Sequence, residues 1–330
     1  MIYSQIVDLA GDLQALQEEC RALQRRYISD QSVKTRASQL NKYYEFCEKY
    51  ALDLIPCPSH QVSWFVAYMA RTLRPVSIRN YVCALNDFLK GEGATPVDYC
   101  DVGISRALAG ASRVLGEEVR RAAPILPNQM VTMFSYLSEA PVHTCLRAAI
   151  LTAFRALLRS QNVTLSDAVL RRRNFKFHDW GMLVEIERSK TIQKREKVLR
   201  LPVAYSPDRR LCAAWWTAQH FKEVPAPLDS PAFIIPDDPP TPLDYNTYLG
   251  AIKYLAEMAG LDPTDFSTHS MRRGGTTFIW LAGASKEEIK TRGDWSSEVY
   301  HQYLDTPLES RISRDIQVAN TMALLVSAQH

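Results

Sequence analysis

The sequence predicts a mainly α protein of two helical domains, the second carrying a small antiparallel β-sheet. Three observations support this. Apolar residues recur at helical spacing through most of the 330 residues, one region near 174–203 alternates instead, and a basic stretch with a closing proline separates two halves that are each long enough for a core. At 46% hydrophobic and 23% charged, the composition is that of a soluble globular protein. The formal net charge of +3 is weak support for a nucleic-acid partner, so the clustering of basic residues matters more. Seven cysteines stand at 20, 47, 57, 83, 100, 145 and 212 with no C-x-x-C pair. That spacing points to reduced thiols in an intracellular setting and gives no structural metal site. No apolar run reaches membrane-spanning length, and the N-terminus lacks a signal-peptide pattern.

Taken in order, Ile6, Leu9, Leu13, Leu16, Cys20, Leu23 and Tyr27 alternate spacings of three and four, which is a heptad seam. Residues 1–30 are therefore an N-terminal amphipathic helix, either paired in trans or lying on its own domain. Four helices follow, near 34–50, 59–73, 76–91 and 98–110, with Ser32 and Ser59 as caps, Pro75 before the third and Gly91-Glu92-Gly93 after it. Lys34, Arg36, Lys42, Arg71, Arg74, Arg79 and Lys90 make this segment basic. Its aromatics Tyr43, Tyr44, Phe46, Trp64, Phe65, Tyr68, Tyr81 and Phe88 read as core. Residues 111–124, with Arg113, Arg120 and Arg121 ahead of Pro124, read as a basic linker. The domains are then 31–112 and 127–330, joined by 113–126.

The second domain opens with helices near 128–139 and 142–158, the latter running into Leu157-Leu158-Arg159-Ser160-Gln161-Asn162. The β region comprises 174–178, 182–188 and 197–203, with a turn at Asp179-Trp180-Gly181 and with Ser189-Lys190-Thr191 at the end of the middle strand. A helix over 204–222, a proline-rich surface loop over 225–242 and a helix over 243–260 follow, then a short helix near 286–291 and an apolar-faced helix over 308–327. Between these stands His269-Ser270-Met271-Arg272-Arg273-Gly274-Gly275-Thr276-Thr277. On a helix, His269 and Arg272 lie about 60° apart and can aim at one small anion. Ser267 or Thr268 caps that helix and leaves its positive end nearby. The paired glycines imply close approach of another backbone. Gly293-Asp294-Trp295 and the run Tyr300-His301-Gln302-Tyr303 complete the cluster, which reads as a phosphate site with a tyrosine beside it.

The H-x-x-R box, the later G-D-W and the Y-L at 303–304 resemble the tyrosine recombinase (phage-integrase-like) family. Their wording is most similar to the eukaryotic branch carried by retrotransposons and Crypton-like elements. The resemblance implies a helical core-binding domain over 31–112, including the S-I-R-N-Y-x-x-A-L helix from Ser77 to Leu85, and a catalytic domain over 127–330. It also implies six site residues: Arg159 and Arg272 as the arginine pair, Lys190 as general acid, His269 as proton acceptor, Trp295 in the third box and Tyr303 as nucleophile. Arg155 competes with Arg159, Tyr300 with Tyr303, and Lys190 has a second reading as a DNA-backbone contact. The box at 159–162 reads R-S-Q-N, lacking the family's serine two residues after the arginine. The partner so implied is double-stranded DNA, with phosphate contacts expected from Lys34, Arg36, Lys42, Arg74, Arg79, Arg113, Arg120 and Arg121. Self-association on DNA, from dimer to tetramer, is also implied, with no cofactor or metal. The expected location is intracellular, in the nucleus if the source is eukaryotic. The alternative is a domesticated DNA-binding protein that keeps the fold without cleavage.

Overall fold

The computed structural model describes residues 13–23, 27–28, 30–116, 121–188, 198–304, 312 and 316. The chain divides into two compact units, Met1–Arg120 and Arg121–His330.

In the first unit, residues 13–23 are helical with every side chain exposed. Helix α1 (Asp30–Tyr50), α2 (Ser59–Ala70), α3 (Pro75–Gly91) and α4 (Val102–Leu115) follow. They enclose a core of Tyr43, Phe46, Phe65, Val66, Met69, Ile78, Val82, Leu85, Leu89 and Ile104. Gln61 is buried in this core and is satisfied there, its Nε2 donating to Tyr43 Oη at 2.8 Å and to the Asp53 carbonyl at 2.7 Å. The caps differ from expectation. Ser32 lies inside α1, and Ser59 is the first helical residue of α2 behind Pro58, with no side-chain cap. Among the described residues of this unit the capping side chain is Asp101, whose carboxylate accepts from the Ile104 N–H at 3.0 Å. Helix α4 runs to Leu115, so Arg113 belongs to its last turn rather than to a linker. Trp64 is 52% exposed and Tyr44 36%, so these two aromatics are not core; Trp64 lies edge-on to His60, ring centroids 4.7 Å apart.

The second unit is organised by α6 (Pro141–Arg155), preceded by α5 (Pro127–Ser135). Every residue of α6 from Thr144 to Phe154 is buried, as in a central helix, including Arg147, whose guanidinium donates to the carbonyls of Leu137 at 2.6 Å and Ser138 at 2.8 Å. It packs against α8 (Ala213–Glu223) and α10 (His269–Leu281). The one-turn helix α7 (Ser160–Val163) leads to strands β1 (Phe175–His178), β2 (Gly181–Ile186) and β3 (Leu199–Ala204), an antiparallel sheet in chain order. Val184 pairs with both Phe175 and Leu201, so Met182, Val184 and Ile186 share one buried face with Leu201 and Val203. Glu185 points the other way and binds Lys176 at 2.8 Å and Arg200 at 3.1 Å. Helix α9 (Tyr245–Met258), α10 and α11 (Lys286–Gly293) complete the unit, with a 3₁₀ segment over Glu298–Tyr303.

Three readings need correction here. The expected helix over 204–222 begins only at Ala213, because Ser206-Pro207-Asp208 turns the chain after β3 and a 3₁₀ turn covers Arg209–Leu211. The stretch 225–242 is not wholly a surface loop: Ala232, Phe233, Ile234 and Ile235 are buried, and β4 (Ile234–Ile235) pairs with β5 (Thr241–Pro242). The helix expected to reach residue 158 ends at Arg155, where Leu157 takes a left-handed conformation, φ 51°. Of the apolar helix expected over 308–327, only Ile312 and Ile316 lie among the described residues, both helical. No described helix is long and apolar enough to cross a membrane.

Candidate active site

Close backbone contact sets the position of α10. A Cβ on Gly274 would stand 1.9 Å from the Ile125 carbonyl oxygen, and one on Gly275 would stand 2.1 Å from the Phe154 carbonyl oxygen. The paired glycines therefore let α10 lie directly on α6 and on the chain segment entering α5, the close approach that the sequence implies. The helix starts with Ser267, whose Oγ accepts from the His269 N–H at 3.2 Å, while the Ser267 N–H donates to Ser270 Oγ at 3.0 Å. Thr268 makes no side-chain cap. Capping thus rests on Ser267, and the positive helix end coincides with His269 and Arg272.

Arg272 is buried, 2% exposed. Its Nη1 donates to the carbonyl of Leu157 and its Nη2 to that of Gly293. Both acceptors come from special backbone: Leu157 in its left-handed turn, and Gly293 at the end of α11, where Asp294 also turns left-handed at φ 52°. A Cβ on Gly293 would collide with the Trp295 ring at 1.9 Å, so the residue must be glycine for that indole to fold back. The Trp295 ring lies under the Arg272 guanidinium, 4.3 Å from Cζ to its centroid, and the Tyr303 ring is 5.5 Å from the same Cζ. Trp295 and Tyr303 have centroids 4.9 Å apart.

Arg159 sits at the N-cap of α7 in extended backbone. Burial pushes its pKa down, opposed by the negative charge of Asp294 and by Tyr303. The same groups act on Arg272. Burial lowers its pKa first and the like charge of Arg159 lowers it further, while Tyr303 and Asp294 raise it. Two arginines from distant parts of the chain thus share one electrostatic neighbourhood with Tyr303. A shallow cleft barely large enough for one water lies beside the two arginines, lined by Leu157, Arg159, Asn162, Arg272, Arg292, Gly293 and Asp294 among others.

The other expected residues are distributed unevenly. His269 is exposed on the first turn of α10. Tyr303 is half-buried, whereas Tyr300 is fully buried among Leu157, Ile289 and Trp295. Arg155, the competitor of Arg159, is half-buried and does not line the cleft. Lys190 and Arg120 lie outside the described residues. Among the basic residues expected on DNA, Arg36 is tied to Asp87 and to Tyr27 Oη at 2.9 Å, and Lys42 to Glu45 at 2.8 Å. Arg79 donates to Ser112 Oγ at 3.1 Å, while Lys34, Arg74, Arg113 and Arg121 are exposed. Arg121 also donates to the Gln302 carbonyl at 3.4 Å, beside Arg273, which donates to it at 2.7 Å. Among the described residues no cluster of His, Cys, Asp or Glu could hold a metal ion.

Three participants escaped the sequence reading. Asp294 is a buried carboxylate beside the arginines, and its place after a glycine at a helix end was the available signal. Arg292 donates from Nε to the Arg155 carbonyl at 3.0 Å and from Nη2 to the Pro202 carbonyl at 2.7 Å, tying β3 to the end of α6. Asn162, the last letter of R-S-Q-N, is 2% exposed and donates to the carbonyls of Ala168 at 2.9 Å and Arg188 at 3.1 Å. It thereby holds the chain just beyond β2, two residues before Lys190.

No protein-family model and no curated protein sequence matches the chain. Solved structures do. The Tn1549 transposon integrase in complex with transposon right end DNA aligns over 92% of this chain and 98% of its own, with 15% identity and a TM-score of 0.58. The XerH site-specific recombinase bound to a palindromic difH substrate aligns over 82% and 75%, with 14% identity and a TM-score of 0.61. A lambda integrase dimer bound to a core site aligns over 88% and 94%, with 13% identity and a TM-score of 0.56. The chain has the tyrosine recombinase fold, shared with these integrases and recombinases.

Proposed function

We propose that the protein is a site-specific DNA recombinase or integrase that cuts and rejoins strands through a covalent 3′-phosphotyrosyl intermediate. The observation that carries this reading is the convergence of the buried Arg272 with the half-buried Arg159 and Tyr303 in one electrostatic neighbourhood. The fold likeness to proteins solved on DNA supports the partner, double-stranded DNA. The wording of the boxes at 269–277 and 293–304 supports a mobile-element origin in the retrotransposon or Crypton-like branch.

In this mechanism the Tyr303 hydroxyl attacks the scissile phosphorus, its proton passing to His269. The bond to the 5′ oxygen breaks and Lys190 supplies the proton that this leaving group takes up. Negative charge that builds on the nonbridging oxygens is met by Arg159 and Arg272, whose planar forks match two oxygens at once. Arg272 has one N–H of each Nη on a carbonyl, which fixes the guanidinium and leaves its remaining donors for phosphate. Donors fixed in this way are worth roughly a hundredfold or more each in rate. Trp295 holds the guanidinium from below and can donate its indole N–H but no catalytic proton. Burial of Tyr300 supports Tyr303 as the nucleophile, since the half-buried ring is the one a backbone phosphate can reach. The reaction uses no metal or nucleotide, and strand exchange implies a dimer or tetramer on DNA.

A second reading, DNA binding without cleavage, is favoured by one observation: Arg272 already has structural work as the link between the Leu157 and Gly293 carbonyls. Incubation with supercoiled and nicked DNA, followed by SDS, separates the two. An SDS-resistant protein–DNA adduct supports the recombinase; tight binding with no adduct supports the alternative.

A further inference from the structure

We infer that Arg273 and Thr277 are positioning residues that hold the main chain of Tyr303, so that its hydroxyl meets a phosphate bound by Arg159 and Arg272; the inference rests on Tyr303 being the nucleophile. On α10 these two residues are one turn apart and share a face, and Arg273 lies about 100° around the helix from Arg272. One helix therefore carries both the fork aimed at phosphate and the donors aimed at the tyrosine. A 3₁₀ segment leaves its last carbonyls without partners in its own turns, and the segment Glu298–Tyr303 ends at the tyrosine. The Leu304 N–H closes onto the His301 carbonyl at 3.3 Å. The next two carbonyls are met from α10. Arg273 Nη1 donates to that of Gln302 at 2.7 Å, and Thr277 Oγ1 donates to that of Tyr303 at 3.3 Å. Both side chains are buried, Arg273 at 8% exposure and Thr277 at 0%. A buried guanidinium and a buried carbonyl are each costly without a hydrogen bond, which favours keeping this pair together.

The other ties on this segment act elsewhere along it. Lys290 binds Glu298 at 2.9 Å, at the far end and with the Glu298 side chain 65% exposed, where an ion pair contributes little. Tyr300 is fully buried and anchors the middle, three residues before the nucleophile. Arg121 donates to the Gln302 carbonyl at 3.4 Å, a longer bond from an exposed residue. Among the described residues, the buried donors on the main chain at Gln302 and Tyr303 are thus Arg273 and Thr277. With two successive carbonyls fixed, the hydroxyl is placed by the side-chain torsions alone, and the Tyr303 ring centroid stands 5.5 Å from Arg272 Cζ. An attacking atom displaced by about 1 Å commonly loses about a hundredfold in rate, so the clamp acts on chemistry more than on DNA affinity.

The test uses the full chain and compares Arg273→Met, which keeps an unbranched stem and removes the guanidinium, with Thr277→Val and Thr277→Ser. Three quantities are measured: affinity for nicked double-stranded DNA by gel shift, the single-turnover rate of adduct formation at saturating nicked DNA, and amide hydrogen exchange of the DNA-free protein. Arg273→Met is expected to slow adduct formation about a hundredfold at unchanged affinity. Its amides over 298–304 should exchange faster while those of α6 keep their protection. Thr277→Val should be slowed less, and Thr277→Ser, which keeps the hydroxyl, should react at the wild-type rate. An Arg273→Met protein that reacts as fast as wild type would overturn the inference, and so would one that loses affinity but not rate. Lost protection in α6 would also overturn it, by making Arg273 a support of the core rather than of the tyrosine. A wild type that binds DNA and forms no adduct would overturn it through the recombinase reading on which it rests, a failure told apart because it appears before any substitution is made.

Discussion

Replacing Gly275 by alanine tests whether the contact between α10 and α6 holds the site together. The added Cβ would lie 2.1 Å from the Phe154 carbonyl oxygen and 2.7 Å from Leu157 Cδ2. To reach the 3.0 Å below which real Cβ contacts essentially do not occur, the two helices must part by about 0.9 Å. Alanine gains about 1 kcal/mol of helix propensity over glycine. Overpacking costs typically about 1–3 kcal/mol, and here the obstacle is backbone rather than a side chain that can swing away. A backbone obstacle puts the cost in the upper part of that range, about 2–3 kcal/mol, so the net expectation is about 1–2 kcal/mol of lost stability, or roughly 2–8 °C in thermal midpoint for a domain of this size. The functional loss should be larger. Leu157 and Arg272 stand on opposite sides of that contact and are hydrogen-bonded to each other, so separating the helices moves the guanidinium. A displacement near 1 Å commonly costs about a hundredfold in rate. Differential scanning fluorimetry and the time course of adduct formation measure the two effects. A Gly275→Ala protein with an unchanged midpoint and unchanged adduct rate would refute the reasoning.

Other outcomes follow from single groups. His220 is fully buried, and desolvation holds its pKa down to about 4, so between pH 6.5 and 4 the unfolded chain binds a proton that the folded chain does not. Stability present above the ordinary histidine pKa is therefore lost as pH falls; urea unfolding should show about 2 kcal/mol less stability at pH 5 than at pH 7, and His220→Gln should remove most of that difference. Arg272→Lys replaces a fork holding two carbonyls by a point charge, so adduct formation should fall at least about a hundredfold while DNA binding in a gel-shift assay changes little. If Lys190 protonates the leaving oxygen, Lys190→Ala should cleave ordinary DNA slowly and recover on a substrate with sulfur at the bridging 5′ position, which leaves without protonation. Equal slowness on both substrates would remove Lys190 from that role.

Much of the fold was legible because its signals are local. Pro75 and Pro127 each mark the first turn of a helix, and Gly181 marks the turn between β1 and β2. The glycine pair of α10 announced close backbone approach, since few other reasons place two glycines in one buried turn. What the sequence concealed depends on distant partners. The acceptors of Arg272 are main-chain carbonyls, and a carbonyl has no residue type to read. Asp294 gains its place beside Arg159 only when α11 and α7 come together, and Arg292 gains its function only when β3 passes the end of α6. The buried stretch Ala232–Ile235 was masked by the prolines around it, although four consecutive apolar residues were its signal. Ser59 failed as a cap because Pro58 already fixes the extended entry into α2, leaving Ser59 inside the first turn.

The central claim is that Tyr303 attacks phosphate between Arg159 and Arg272. It is tested most directly by isolating the SDS-resistant adduct formed on nicked DNA that includes the element's own ends, digesting it, and locating the nucleotide-bearing peptide by mass spectrometry. Wild type is expected to carry the nucleotide on Tyr303, with the adduct lost in Tyr303→Phe and kept in Tyr300→Phe. Modification of Tyr300, or an adduct that survives Tyr303→Phe, would contradict the account.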